Sequence, residues 1–159
     1  MTRKMVWMAG VVGLLACSGP VAAGDEAAIE TLLEAKKGAW DAADGDAWAR
    51  DYQANSVVVN LAGSRLLGRE ANARRHDAVF AGPLAGTALD IAVEHIEMLG
   101  ENRALAVAKL TVSDIETMPE GLPDGGDGIL RTRMSFLLEQ DADHGWQIRF
   151  AQNTAVSPY

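Results

Sequence analysis

Cysteine is almost absent from this chain of 159 residues, since Cys17 is the only one. One cysteine excludes an internal disulfide, and its position near the N-terminus leaves the rest of the chain without thiol chemistry. Histidine is also scarce: the three residues form neither a His-x-His pair nor a His-Glu-x-x-His motif. We therefore expect no metal site, and a fold that depends on its core rather than on cross-links.

Basic residues are few as well, with 14 Lys and Arg against 22 Asp and Glu. Two of the basic residues, Arg3 and Lys4, precede every acidic one, so the chain after residue 23 has 12 basic and 22 acidic residues. Nucleic acids and anionic membranes are bound mainly through basic patches, so neither is expected as a partner. The chain also lacks a Gly-x-Ser-x-Gly elbow and a nucleotide-binding glycine motif, and we expect no cofactor.

Long hydrophobic runs are missing too, but the N-terminus has a short one. A basic start at residues 2–4 precedes an uncharged, mostly apolar segment at 5–16, and the small residues Val21, Ala22 and Ala23 follow. A membrane-spanning helix needs about 20 apolar residues, so no transmembrane anchor is expected. The pattern is typical of a signal peptide over residues 1–23, which leaves one domain over 24–159 in the periplasm or outside the cell.

A second interpretation of the same segment concerns Cys17. Residues 14–17, Leu-Leu-Ala-Cys, are similar to a bacterial lipobox. In that case the signal would cover residues 1–16, and Cys17 would become a lipidated N-terminus. Both interpretations predict export, and they differ in whether the protein is anchored to a membrane.

Periodicity separates the domain into helices first and strands afterwards. Apolar residues at helical spacing predict an amphipathic helix over 25–43, in which Lys36 is expected to extend its charge from the edge of the core. A short helix over 47–52 and a third helix over 69–80 follow, the latter ending before Gly82 and Pro83. Alternating residues predict strands at 56–60, 65–68, 87–99, 103–115, 128–140 and 146–154. This order predicts an α+β fold with a mostly antiparallel sheet.

Several spaced motifs within residues 25–156 resemble one superfamily. They are Trp40 with the Asp-Gly-Asp corner at 44–46, the Val-Val-Val-Asn run at 57–60, Gly-Arg-Glu at 68–70, His76, Phe80, and Gly-Trp-Gln-Ile at 145–148 with Gln-Asn-Thr at 152–154. The chain resembles the nuclear transport factor 2-like superfamily, and within it the SnoaL-like group of SgcJ/EcaC type. The resemblance implies a cone: a strongly curved, mostly antiparallel sheet wraps three N-terminal helices, and its open end holds a small-molecule pocket. It also implies a homodimer formed through the outer face of the sheet.

The resemblance also suggests candidate site residues. In related ketosteroid isomerases the first strand ends in an aspartate general base, and Asn60 occupies that position here. An amide cannot abstract a proton, so Asn60 can orient or bind a carbonyl but disfavours that isomerase chemistry. His76 is the candidate acid or base, because imidazole titrates near neutral pH and the residue shares a helix face with Phe80. A structural role, with the ring hydrogen-bonded and not catalytic, remains open for it.

The last predicted strand provides another candidate. Alternation places Trp146, Ile148, Phe150, Gln152 and Thr154 on one face, so that an apolar face ends in an amide and a hydroxyl. Gln152 is therefore expected in the pocket. The predicted ligand-binding set is Trp40, Tyr52, Asn60, His76, Phe80, Phe150 and Gln152, with Trp48 and Trp146 as further aromatic residues that pack in the core or line the pocket.

Arg131 and Arg133 lie on the strand face opposite an apolar set that includes Met134 and Phe136. If the apolar face is buried, both arginines point outward, where they pair with acidic residues or with a dimer partner. If the faces are reversed, the arginines enter the pocket and favour an anionic ligand. We expect the outward orientation, because the wholly apolar face is the one to bury.

Three functions remain compatible with the sequence. The first is an exported domain that binds a small apolar or carbonyl-bearing molecule without chemistry of its own. The second is an enzyme of cyclase, dehydratase or isomerase type that uses His76 as general acid or base. The third is a homo-oligomeric assembly module that needs no pocket.

Overall fold

The computed structural model describes residues 20–123 and 126–156. Residues 1–19, which hold Cys17 and most of the predicted signal peptide, lie outside the described residues, as do Asp124 and Gly125. Among the described residues, no helix combines the length and the apolar character that crossing a membrane requires.

The N-terminal half is helical, as the apolar stripe predicts. Helix α1 (Pro20–Glu34) and helix α2 (Lys36–Asp41) are separated only by Ala35, which also has helical backbone angles. Helix α3 (Gly45–Ala49) begins after Asp44, whose carboxylate accepts a hydrogen bond from the backbone N–H of Ala47 at 2.9 Å. This side chain satisfies one of the free N–H groups that every helix start exposes.

The predicted second helix over 47–52 is wrong at its C-terminal end. Tyr52 starts strand β1 instead, because it pairs with Ile148 of the last strand. Helix α4 (Arg69–Phe80) has the predicted bounds, and it follows strands β1 (Tyr52–Val59) and β2 (Arg65–Leu67). The sheet is completed by β3 (Ala88–Met98), β4 (Arg103–Ser113), β5 (Leu130–Asp141) and β6 (Gly145–Ala155).

The six strands form one sheet in the order β2-β1-β6-β5-β4-β3. Every neighbouring pair is antiparallel except β1 and β6, which are parallel. The predicted α+β class with a mostly antiparallel sheet is therefore confirmed. The parallel pair places the end of β1 beside the end of β6, so Val59 lies opposite Gln152.

Irregular pairings bend the sheet around the helices. In β3, Val93 pairs with Ala108 and His95 pairs with Val107, which leaves Glu94 as an extra residue. In β6, Ile148 pairs with Leu138 and Phe150 pairs with Leu137, which leaves Arg149 as an extra residue. A bulge increases local twist and bends its strand, so these two positions help the sheet to curve.

The core lies between the helices and the inner face of the sheet. Inward side chains of β4 and β5 alternate with outward ones along the whole length of both strands. The apolar residues that form this core are Ile29, Leu33, Trp40, Trp48, Tyr52, Val58, Phe80, Leu89, Leu110, Val112, Leu130, Met134, Phe136, Leu138, Trp146 and Ile148, with several alanines.

Lys36 is buried within this core, contrary to the expectation of a charge extended to the surface. Its side chain is 2% exposed, and its ammonium group donates a hydrogen bond to the backbone carbonyl of Trp48 at 2.9 Å. The carboxylate of Asp51 lies 3.6 Å from the same nitrogen. The side chain remains inside because α3 folds back over α2 and brings these two acceptors to it.

Candidate functional site

A cavity of about 280 Å³ lies between the helices and the inner face of the sheet. This volume is close to the lower end of the range for ligand pockets, roughly 300–1,000 Å³, so the cavity suits a small ligand. Most of its wall is apolar. The apolar side chains come from α2, α3, α4, four strands and three connections: Trp40, Trp48, Val58, Leu61, Ala62, Leu66, Val79, Pro83, Leu84, Leu110, Val112, Pro119, Leu122, Leu130 and Met134.

Six polar residues interrupt this wall: Asn60, Arg75, His76, Glu120, Thr132 and Asn153. Two of them belong to the inner face of the sheet. Thr132 lies on β5, and Asn153 lies on β6 opposite Met134, so the two residues are diagonal neighbours. The hydroxyl of Thr132 and the amide oxygen of Asn153 are buried and make no hydrogen bond with a described residue. Such groups are uncommon in folded proteins, because an unpaired buried polar group destabilises by about 1–3 kcal/mol.

The ring of His76 is held by its neighbours on two sides. It stacks on the indole of Trp48, with 4.5 Å between ring centroids and 24° between planes, and Phe80 lies 6.0 Å away. Its Nδ1 atom is 3.0 Å from the backbone carbonyl oxygen of Asn72, one helical turn earlier. Because a carbonyl oxygen only accepts, Nδ1 carries the proton and Nε2 presents a lone pair.

Burial lowers the pKa of His76 to about 4. The hydrogen bond to the Asn72 carbonyl acts in the opposite direction, and the charges of Lys36 and Arg75 lower the pKa further. A histidine with this pKa is neutral at pH 7. It can accept a hydrogen bond or a proton from a ligand, but it is not an acid at neutral pH.

Asn60 lines the cavity and also holds the turn after β1. Its side-chain oxygen accepts hydrogen bonds from the backbone N–H groups of Ala62 at 3.1 Å and Ser64 at 2.8 Å. The oxygen is therefore occupied by the turn, and the amide NH₂ is the group that a ligand can use. Asn60 therefore caps this turn and lines the cavity at the same time.

A second group of polar side chains lies deeper, behind Trp48 and His76. The ammonium of Lys36 lies 4.7 Å from the ring centroid of Tyr52 and 5.6 Å from that of Trp48, within reach of a cation–π interaction. Burial lowers the pKa of Lys36 to about 8, although Asp51 opposes this shift. Burial also raises the pKa of Tyr52.

The cavity contains three of the seven residues predicted to bind a ligand: Trp40, Asn60 and His76. Trp40 is fixed by a hydrogen bond from its indole N–H to the backbone oxygen of Thr87 at 3.2 Å. Tyr52 and Phe80 are buried in the core and are not part of the cavity wall.

The prediction that Phe150 and Gln152 face inward is wrong. The extra residue Arg149 shifts the alternation of β6 by one position, so that Ala151 is buried while Phe150 and Gln152 are not. Gln152 is exposed, and Asn153 takes the inward place. A one-residue shift reverses the two faces of a strand because side chains alternate with a period of two.

Arg131 and Arg133 point outward, as expected from the apolar face opposite them. Arg131 forms a salt bridge with Asp127 at 2.7 Å, and Arg133 forms one with Glu94 at 2.6 Å. Neither guanidinium contributes to the cavity wall.

Sequence reasoning missed Thr132 and Asn153. Thr132 shares a strand face with Leu130 and Met134, so alternation alone was enough to identify it as a polar residue on the buried face. Asn153 required knowledge of the bulge at Arg149, for which the sequence has no local signal. Trp48 was considered among the aromatic residues, but its contact with His76 depends on the packing of α3 against α4.

Comparison with solved structures supports the fold. A domain of unknown function with a cystatin-like fold from Nostoc punctiforme aligns with a TM-score of 0.70 and 22% identity, over 85% of this chain and 79% of that one. A nuclear transport factor 2-like superfamily protein from Salmonella enterica aligns with a TM-score of 0.69 and 14% identity, over 86% and 94%. A ketosteroid isomerase-like protein from Erwinia carotovora aligns with a TM-score of 0.62 and 18% identity, over 86% and 96%.

No protein-family model matches the chain, and no curated protein is significantly similar to it in sequence. The structural matches share little sequence with the chain, so they support its architecture and leave its activity open. This protein therefore has the cone-shaped nuclear transport factor 2-like fold.

Proposed function

We propose that this protein is an exported domain that binds a small, largely apolar molecule in the cavity between its helices and its sheet. The observation that carries the proposal is the pair of buried, unpartnered groups on the inner sheet face, Thr132 Oγ1 and Asn153 Oδ1. In a cavity with mostly apolar walls, a ligand with one or two polar groups would satisfy both. The free NH₂ of Asn60 and Nε2 of His76 supply further polar contacts.

The export signal, the domain bounds and the family type are further parts of this proposal. We infer a signal peptide over residues 1–23, with lipidation of Cys17 as the alternative, one domain over 24–159, and membership of the SgcJ/EcaC type. The mass of the mature N-terminus after expression with the full leader would distinguish cleavage after Ala23 from lipidation of Cys17.

Thr132→Val keeps the shape of the side chain and removes its hydroxyl. Because that hydroxyl is buried without a partner, we expect the free protein to gain about 1 kcal/mol or more in its free energy of unfolding. Affinity for the ligand should fall about three- to ten-fold, because the ligand loses a hydrogen bond. Denaturant unfolding gives the stability, and quenching of Trp40 and Trp48 fluorescence gives the affinity.

The matched control is Thr154→Val, because Thr154 is exposed on the outer face of β6. We expect this variant to change neither stability nor affinity. Native mass spectrometry of the protein purified from its host supplies the ligand. A Thr132→Val protein that loses stability and binds as tightly as the parent would contradict a ligand-binding role for this wall.

A second function is favoured by the fixed orientation of His76, namely proton abstraction from a bound substrate. The hydrogen bond from Nδ1 to the Asn72 carbonyl leaves Nε2 unprotonated on a residue that lines the cavity, the arrangement that a general base requires. If the protein turns over a bound molecule, and His76→Gln abolishes that turnover but retains binding, the enzyme is favoured over the binding protein.

Homodimerisation through the outer sheet face is also proposed. Val57, Phe150, Leu137 and Leu105 lie side by side across four strands on the outer face, and each is only half-buried. We call these four residues the outer stripe. A partner molecule that covers the outer stripe would remove apolar surface from water, which favours association.

A further inference from the structure

We infer that the ligand is an uncharged hydroxyl compound, a phenol or an alcohol, whose O–H group donates a hydrogen bond to Nε2 of His76. We further infer that Lys36 is a positioning residue whose charge, acting across the indole of Trp48, adds to the effect of burial in disfavouring a proton on this nitrogen. The ligand class rests on the proposed function, because it requires a ligand in the cavity.

The imidazole of His76 has a fixed orientation. Nδ1–H donates a hydrogen bond to the backbone carbonyl of Asn72 inside helix α4, and Nε2 makes no hydrogen bond with a described residue. A neutral imidazole with its N–H occupied offers the ligand an acceptor. A ligand carbonyl or ether has no hydrogen to donate to it, whereas a hydroxyl group does.

The indole of Trp48 lies beside both His76 and Lys36. The indole stacks on the imidazole of His76, and the ammonium of Lys36 lies 5.6 Å from the centroid of the same indole. The ammonium is held in place by its hydrogen bond to the Trp48 carbonyl and by Asp51. Because Lys36 is 2% exposed, water screens its charge little, and protonation of His76 would place a second cation near it.

The remaining charged groups around the imidazole lie on α4 and on the connection between β4 and β5. Arg75 acts in the same direction as Lys36, Asp77 opposes them, and Glu120 lines the cavity. Of these cations, Lys36 is the buried one, and Arg75 is exposed. We therefore assign the main charge effect on His76 to Lys36.

Asn60 provides a complementary group in the cavity. Since the oxygen of Asn60 is occupied by backbone N–H groups, Asn60 presents hydrogen-bond donors. A hydroxyl group both donates and accepts, so it can bond to His76 and Asn60 or Thr132 together. A carboxylate would place its lone pairs against that of Nε2, which is unfavourable.

The test of the positioning role measures His76 directly. NMR of protein labelled with ¹⁵N-histidine should show the neutral tautomer with hydrogen on Nδ1 at pH 7. In Lys36→Met the pKa of His76 should rise by about one unit, an effect expected from removing one nearby charge at an effective dielectric constant of about 20. Lys37→Met is the control, because Lys37 is exposed and pairs with Asp41 on the outside of α2.

The wild-type spectrum tests the inference even if Lys36→Met does not fold. A His76 ring with hydrogen on Nε2, or one that titrates as an ordinary histidine, would overturn it. An unchanged His76 pKa in folded Lys36→Met would overturn the role of Lys36.

The test of the ligand class uses three probes of similar size at pH 7: 2-naphthol, 2-methoxynaphthalene and 2-naphthoate. We expect naphthol to bind about three- to ten-fold more tightly than the ether, the effect of one additional hydrogen bond. Equal or tighter binding of the ether or the carboxylate would overturn the inference while leaving a ligand-binding cavity in place. Binding of none of the three would refute the proposed function itself, and with it the ligand class inferred here.

Discussion

At the scale of single residues, the environment of a side chain determines its chemistry more than its type does. His76 and Lys36 are both titratable, and burial lowers the pKa of each, to about 4 and about 8. The result is a neutral imidazole beside a buried ammonium at pH 7. Asn60 shows the same principle, because its turn occupies the oxygen and leaves only the NH₂ for a ligand.

The pH dependence of stability follows from His76. Its pKa is about 4 in the folded protein and 6.5 in the unfolded chain, so between these values the unfolded state binds the extra proton. The stability that His76 contributes is therefore present above pH 6.5 and is lost as the pH falls toward 4. A shift of this size corresponds to a loss on the order of 3 kcal/mol.

Comparison of variants isolates this effect. The free energy of unfolding lost between pH 6.5 and 4 should be smaller in His76→Phe, because this variant has no imidazole to protonate. Denaturant unfolding at several pH values measures this loss. His95→Phe, at an exposed position, controls for the removal of a histidine. Equal losses in the parent and in His76→Phe would contradict a buried neutral imidazole.

At the scale of elements, close contact between α3 and α4 places Trp48 against His76. Gly45 makes this contact possible, because its N–H donates to the carboxylate of Asp77 at 3.0 Å and a side chain there would collide with Ala73 and Asp77. The helices therefore approach each other at a residue without a Cβ atom. The stacked rings one turn further on depend on this approach.

Gly45→Ala should lower the free energy of unfolding by about 1–3 kcal/mol, because the added methyl group overpacks the contact with the backbone of α4. It should also alter Trp48 fluorescence, since α3 moves relative to His76. The control is Gly38→Ala in α2, where a Cβ meets nothing within 4 Å. That variant should stabilise by about 0.5–1 kcal/mol through helix propensity. Destabilisation of the same size in both variants would show that the loss does not arise from the contact between α3 and α4.

At the scale of the whole molecule, the sheet has two faces with different roles. The inner face packs on the helices and lines the cavity, and the outer face carries the outer stripe with flanking salt bridges such as that between Arg133 and Glu94. The bulge at Arg149 connects the two roles, because it moves Phe150 from the inner to the outer face.

Phe150→Glu should convert the proposed homodimer to a monomer, because a carboxylate in the middle of an apolar interface loses its hydration. Size-exclusion chromatography with light scattering measures the mass. Ala78→Glu is the control, since Ala78 is exposed on α4, on the opposite side of the sheet from the outer stripe. A parent protein that is monomeric at all concentrations would contradict the dimer.

Much of the architecture was predictable because it depends on local periodicity. The bounds of α4, the strands from β3 to β6 and the α+β order follow from helical spacing, alternation and turn residues in the sequence. The outward orientation of Arg131 and Arg133 follows from the apolar face opposite them. Asn60 and His76 both line the cavity, and their role in binding a ligand stays a prediction.

The sequence by itself thus determined the class of the fold and the acidic character of the chain. Only the tertiary structure decided that Lys36 is buried, that Trp48 stacks on His76, and that Asn153 rather than Gln152 faces the cavity. The physical reason is the same in each case: these features arise from contacts between elements distant in the chain. The residues from Trp146 to Thr154 alternate regularly in sequence, and it is pairing with β1 and β5 that inserts the bulge and exchanges the faces.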